Sequence, residues 1–178
     1  MSERRSYAHG TPSWVDIMSA DIETTRGFYT ALFDWELGPE EAPEAGGYRQ
    51  FMKDGKRVAA SAPQSQDMID SGMPTVWNTY MTVDSAAAVT ALVEKSGGMV
   101  VAPPFEVFDA GSMAMFADPE GAMFSVWQPD KHIGAELVNE PGTICWNELA
   151  SHDPAKASEF YADVLGWRTL STETLRAR

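Results

Sequence analysis

The chain has 178 residues, 44% of them hydrophobic and 22% charged, a balance that excludes disordered and fibrous classes. A formal net charge of −13 argues against nucleic-acid binding and against docking on anionic membranes. The single cysteine, Cys145, excludes an internal disulfide, and no apolar run approaches bilayer length, so a cytoplasmic protein is expected.

Residues 1–11 read as a flexible arm. From Ser13 to Ser19 the chain alternates, with Val15 and Ile17 on one face of a strand and Trp14, Asp16 and Met18 on the other. Asp21 then caps a helix in which Ile22, Thr25, Phe28, Tyr29, Leu32 and Phe33 recur at helical spacing. Residues 48–52 and 57–61 form a hairpin across Asp54-Gly55, and 63–74 is a polar connector without a packing pattern. A strand is expected over 75–83 and a helix over 84–95, stopped by Gly97-Gly98. Short strands follow at 99–102, 105–108, 112–117 and 122–127, the last two joined by the turn Asp118-Pro119-Glu120-Gly121. Residues 130–141 make a linker. Beyond it, 143–151 reads as a strand holding a buried, inert Cys145, and 154–165 as a helix.

An internal repeat underlies this order. The frame from Trp14 to Asp21 recurs from Trp77 to Asp84 and from Trp146 to Asp153, each copy ending in an Asp able to cap a helix. Phe28-Tyr29 through Trp35 is likewise answered by Phe160-Tyr161 through Trp167. Repetition at this scale fixes the architecture. The class is α+β: two strand–helix–three-strand modules at 12–62 and 75–129 form one domain over 12–129, and 142–178 begins a second.

Two such modules, with these helix ends and a D-P-x-G turn before the last strand, resemble the vicinal oxygen chelate superfamily of glyoxalases, bleomycin-resistance proteins and dioxygenases. The linker and the Cys145-Trp146-Asn147-Glu148-Leu149 run resemble its four-module "hydroxylase" members. The resemblance implies a curved mixed sheet forming a cup, with one divalent ion held by His, Gln or Glu on the first and last strand of each module. Its first-strand ligand, seven residues before the capping Asp, falls on Trp14 and Trp77. Its last-strand ligand falls on Ser125, and on Ala60 or Ser61 in the first module. Indole has no lone pair for a metal, and a serine hydroxyl is a weak ligand. No bound metal is therefore expected, although the scaffold is one that carries divalent ions.

The expected lining of the cup is Trp14, Asp16 and Met18 with Trp77, Thr79 and Met81, and Met123, Ser125 and Trp127. Such a set suits a flat, partly apolar ligand, unless the indoles simply fill the core. Asp16 is either a carboxylate of raised pKa, able to act as a base or to bind a ligand amine, or the partner of Arg49 or Arg57. Glu148 holds the equivalent place in the third repeat. His9, His132 and His152 read as surface histidines. Two functions follow: sequestration of an aromatic or antibiotic-like molecule, or a glyoxalase-like lyase, dioxygenase or hydroxylase acting on a small carbonyl or phenolic substrate. An unpaired strand at 143–151 would favour a homodimer.

Overall fold

A computed structural model describes residues 2–39 and 43–170. It contains strands β1 (Thr11–Ser19), β2 (Glu36–Leu37), β3 (Arg49–Lys53), β4 (Lys56–Pro63), β5 (Val76–Thr82), β6 (Met99–Val107), β7 (Gly111–Ala117) and β8 (Met123–Pro129). The helices are α1 (Ile22–Phe33), α2 (Gln66–Asp70), α3 (Ala86–Lys95) and α4 (Pro154–Leu165). One mixed sheet runs in the order β2-β3-β4-β1-β5-β8-β7-β6, and each module contributes four strands to it. The α+β class and the paired modules are as the sequence indicates.

The chain divides into two units, and β5 contributes to both. The first holds the residues up to Tyr7, Pro12–Tyr80 and His132–Asn147. Here α1 carries the chain from β1 to a parallel partner, β4, with Asp16 opposite Ala60 and Ile17 opposite Ser61. The β3–β4 hairpin closes at Asp54-Gly55, where both residues have positive φ, as its Asp-Gly signal requires. Buried Ile17, Trp35, Phe51, Val58 and Leu137 form the core, with Val15, Tyr29, Phe33 and Trp77 packed on it. The second unit holds Ala8–Thr11, Met81–Lys131 and the described residues from Glu148 on. There α3 and α4 share a core with Phe116, Phe124 and Val126 of β7 and β8.

Several expectations are corrected. Asp21 and Asp153 do cap α1 and α4, but Ser85, not Asp84, caps α3 and accepts from the Ala88 N–H. On α1 only Arg26 is buried; its Nε donates to Ser61 Oγ at 3.1 Å, while Phe28 and Leu32 face solvent. The 63–74 connector contains the short helix α2, and 99–107 is one strand with register shifts rather than two strands. Residues 143–151 form no strand. They are mostly exposed, and the unpaired strand edge expected there is not formed. Cys145 is accordingly exposed, not buried.

The arm is anchored as well. The Arg4 N–H donates to Glu136 O at 2.8 Å, and the Tyr7 hydroxyl donates to the Ala135 carbonyl. The linker lies against β1, with the Ala135 N–H donating to Ser13 O at 2.7 Å. That approach needs Gly134, at φ +103°, because a Cβ there would come within 2.5 Å of Ser13 O. Among the described residues, no helix is long and apolar enough to cross a membrane.

Candidate functional site

Asp16 sits in the middle of β1 with only 5% of its surface exposed. Both carboxylate oxygens are engaged: Asn78 Nδ2 donates to one at 2.8 Å and the Tyr80 hydroxyl to the other at 2.8 Å. Burial pushes the Asp16 pKa up, and these two hydrogen bonds oppose it. Burial, followed by the Asp16 charge, holds the Tyr80 hydroxyl well above the usual phenol range. Arg49 and Arg57 are occupied elsewhere, on Gly38 O and on Glu136.

Trp14, on the same face, is buried. Its indole N–H donates to the Tyr48 hydroxyl at 2.8 Å, and the His132 ring stands edge-on to it at 4.5 Å. His132 is thus a buried histidine, contrary to the surface reading; burial, with help from the Arg57 charge, lowers its pKa to about 4. His9 accepts from the Asp84 N–H, and His152 is exposed, as is Glu148.

The repeat as read along the chain is one residue out of register in its second copy. Aligning the true helix caps, Asp21 and Ser85, brings Trp14 onto Asn78 and Asp16 onto Tyr80. A one-residue slip moves every side chain of a strand to the other face. Trp77 consequently packs with Val15 and Ile17 on the α1 side, its indole donating to the Tyr29 hydroxyl at 2.9 Å. Met81 lies in the second unit's core among α3 and α4, and Thr79 donates to Asn147 Oδ1 at 3.4 Å. Trp77, Thr79 and Met81 therefore do not share the Asp16 face. Asn78, Tyr80 and, through Trp14, Tyr48 do. Met18, the remaining residue of that face of β1, is half-buried and lies opposite Ala62.

In the second unit, Phe124 and Val126 of β8 enter the core, which leaves Met123, Ser125 and Trp127 on the other side, as expected from alternation. Met123 is exposed, whereas Ser125 and Trp127 are buried opposite Met115 and Met113.

The inherited ligand positions thus carry Trp14, Asn78 and Ser125, with Ala60 opposite Asp16. In the first unit, an indole and an amide at the two first-strand positions are a poor donor set for a divalent ion that favours imidazole, carboxylate or thiolate. Among the described residues, no cluster of three or more His, Cys, Asp or Glu side chains is arranged to hold a metal. Trp14 and Asn78 do not fit the ligand roles that the resemblance implies for the two first-strand positions.

The family model of the Glyoxalase/Bleomycin resistance protein/Dioxygenase superfamily matches residues 11–126. CFP32 of Mycobacterium tuberculosis, provisionally named a glyoxylase, is 43% identical over 174 residues, covering 97% of this chain and 66% of the relative. The anthracycline biosynthesis protein DnrV of Streptomyces peucetius is 40% identical over 170 residues, covering 90% of this chain and 62% of the relative. The chain thus spans just under two thirds of the length of these proteins. Among solved structures, the Mn(II)-bound glyoxalase of Novosphingobium aromaticivorans aligns with a TM-score of 0.56 at 18% identity, covering 90% of this chain and 54% of that one, and so shares the fold. By its matched sequence and its paired modules, the chain belongs to the glyoxalase/bleomycin resistance protein/dioxygenase superfamily.

Proposed function

We propose that this member binds a small, planar organic molecule of phenolic or quinonoid type on the Asp16 face, without a divalent ion. The observation that carries this reading is the replacement of metal-type ligands by Trp14 and Asn78 at the two first-strand positions, beside a carboxylate already held by two donors. Asp16 acts as a positioning residue. With both oxygens engaged it is not the free base that its sequence position suggests, and it fixes the Asn78 carboxamide and the Tyr80 hydroxyl instead.

The acceptor on Asp16 sets which way the Asn78 amide points: its nitrogen faces the carboxylate. In this reading its second N–H donates to, and its oxygen accepts from, a hydroxyl or carbonyl of the ligand. Half-buried Tyr48 and Met18 supply aromatic and polarizable contacts on the same face. The name of DnrV supports the ligand class, since anthracyclines are planar quinones bearing phenolic hydroxyls.

The test is tryptophan emission of the EDTA-treated chain titrated with an anthracycline. Saturable quenching is expected, weakened about tenfold in Asn78→Ala, as for a lost polar contact of about 1.4 kcal/mol. Quenching that does not saturate, or that ignores Asn78→Ala, would reject this site.

A further inference from the structure

Tyr29 and Phe33 are four residues apart on α1, so they share one helix face, and their rings stack at 6.1 Å. Asp34, at φ 55°, then reverses the chain and brings the Trp35 ring to 6.4 Å from Tyr29 and 4.8 Å from Phe33. Trp77 of β5 adds a wall that stands at 78° to Tyr29 and at 84° to Trp35. The turn at 139–144 adds another. It is closed by the Asn139 N–H, which donates to Ile144 O at 2.9 Å, and pinned by the Trp35 indole, which donates to Gly142 O at 2.8 Å. Gly142, at φ +74°, permits this approach, because a Cβ there would meet Phe33 O at 3.2 Å.

These walls and Val15 enclose an apolar pocket of about 210 Å³, wholly within the first unit. It lies on the sheet face opposite Asp16, so it is distinct from the ligand site proposed above and does not depend on it. Its chemistry follows from the polar groups that line it. Both indole N–H groups are engaged inside the protein, Trp35 with Gly142 and Trp77 with the Tyr29 hydroxyl at 2.9 Å. The Thr143 hydroxyl accepts from the Glu140 N–H and donates to the Glu140 carbonyl. The Tyr29 hydroxyl, having accepted from Trp77, keeps its own proton to donate, and accepting one bond makes it a better donor. Among the described residues, no charged side chain lines the pocket.

We infer that this pocket binds a small neutral aromatic ketone, aldehyde or ether of one or two rings, whose oxygen accepts from Tyr29. Size selects the ring count: an apolar cavity of about 150 Å³ takes a benzene-sized guest, and drug-sized ligands need about 300 Å³ or more. Charge selects neutrality. An ammonium would lose its water and find no free side-chain acceptor, and a carboxylate would meet no cation in a chain of net charge −13. A neutral acceptor oxygen loses least on entry and gains the Tyr29 bond, while the aromatic walls hold the ring.

Nitrogen-15 NMR of the chain titrated with acetophenone tests this, read at the Trp35 and Trp77 indole N–H signals. Saturable shifts of both are expected. α-Methylstyrene, which has a methylene in place of the carbonyl oxygen, should bind about tenfold more weakly, and benzoate should leave both signals in place. Tyr29→Phe should bring acetophenone down to the affinity of α-methylstyrene, and Ile144→Trp, which fills the pocket from the turn, should abolish binding. The ligand comparison uses the unaltered chain, so it decides even where a variant fails to fold. Indole signals unmoved by acetophenone, equal binding of acetophenone and α-methylstyrene, or equal binding of benzoate overturns the inference. So does binding that persists in folded Ile144→Trp or is displaced by an anthracycline, since the guest would then sit elsewhere.

Discussion

Helix α1 in the first unit and helix α4 in the second share an Asp cap and a Phe-Tyr pair at the same spacing, yet Phe28 and Leu32 face solvent where Phe160 and Val164 are buried. The teaching of this pair is that a hydrophobic period encodes a face seeking cover and does not say which element provides it. Where the helix and sheet of the second module are present, the stripe becomes core. In the first unit, Tyr29 and Phe33 pack on the core, and the buried Arg26 ties the helix to Ser61 and to the Gly47 carbonyl at 2.6 Å.

The sharpest way to break this comparison is to truncate equivalent residues. Phe160→Ala should cost about 3–5 kcal/mol by urea unfolding, as for a buried phenylalanine, while Phe28→Ala should fall within about 0.5 kcal/mol of the parent. Equal losses would contradict the assignment of one stripe to core and the other to surface.

Next in size is His132, whose folded pKa is lowered to about 4 from 6.5. A lowered histidine pKa means that the folded state prefers the neutral ring. Its contribution is present above pH 6.5 and is lost as the pH falls toward 4, on the order of 3 kcal/mol in all. An imidazole proton resonance titrating near pH 4 would support its burial against Trp14, and a midpoint near 6.5 would refute it.

Gly134→Ala should cost about 1–3 kcal/mol, through a strained left-handed backbone and a forced shift of the linker from β1. An unchanged denaturation midpoint would show that the linker does not need this approach.

Smallest is Asp16, whose sign runs opposite to that of His132. Because its pKa is raised, the stability it contributes is present at low pH and is lost as the pH rises through its folded value. Asp16→Asn should therefore gain relative to the parent as the pH rises. A constant difference between the two proteins from pH 3 to 8 would deny the carboxylate its buried setting.

Much of this molecule was legible in its residues. The strand–helix–three-strand order, the Asp-Gly hairpin, the caps at Asp21 and Asp153 and the superfamily all follow from spacing and turn chemistry. The site was legible only in part. Trp14 and Asp16 share their predicted face, but Asn78 and Tyr80 were hidden by taking Asp84 as the cap. Ser85 is equally good cap chemistry, and counting back from it lands on Asn78. Sequence could not choose between adjacent cap residues, and the choice decides which side chains point at Asp16. The 143–151 strand failed for a different reason: local alternation cannot form a strand without a partner to pair with.

The most direct test of the account is a calorimetric titration of the EDTA-treated chain with an anthracycline, repeated after adding Mn²⁺ and then Zn²⁺. One-to-one binding with the same affinity in all three conditions is the predicted result. Binding that appears only once a metal is supplied, with stoichiometric uptake of that metal, would contradict it.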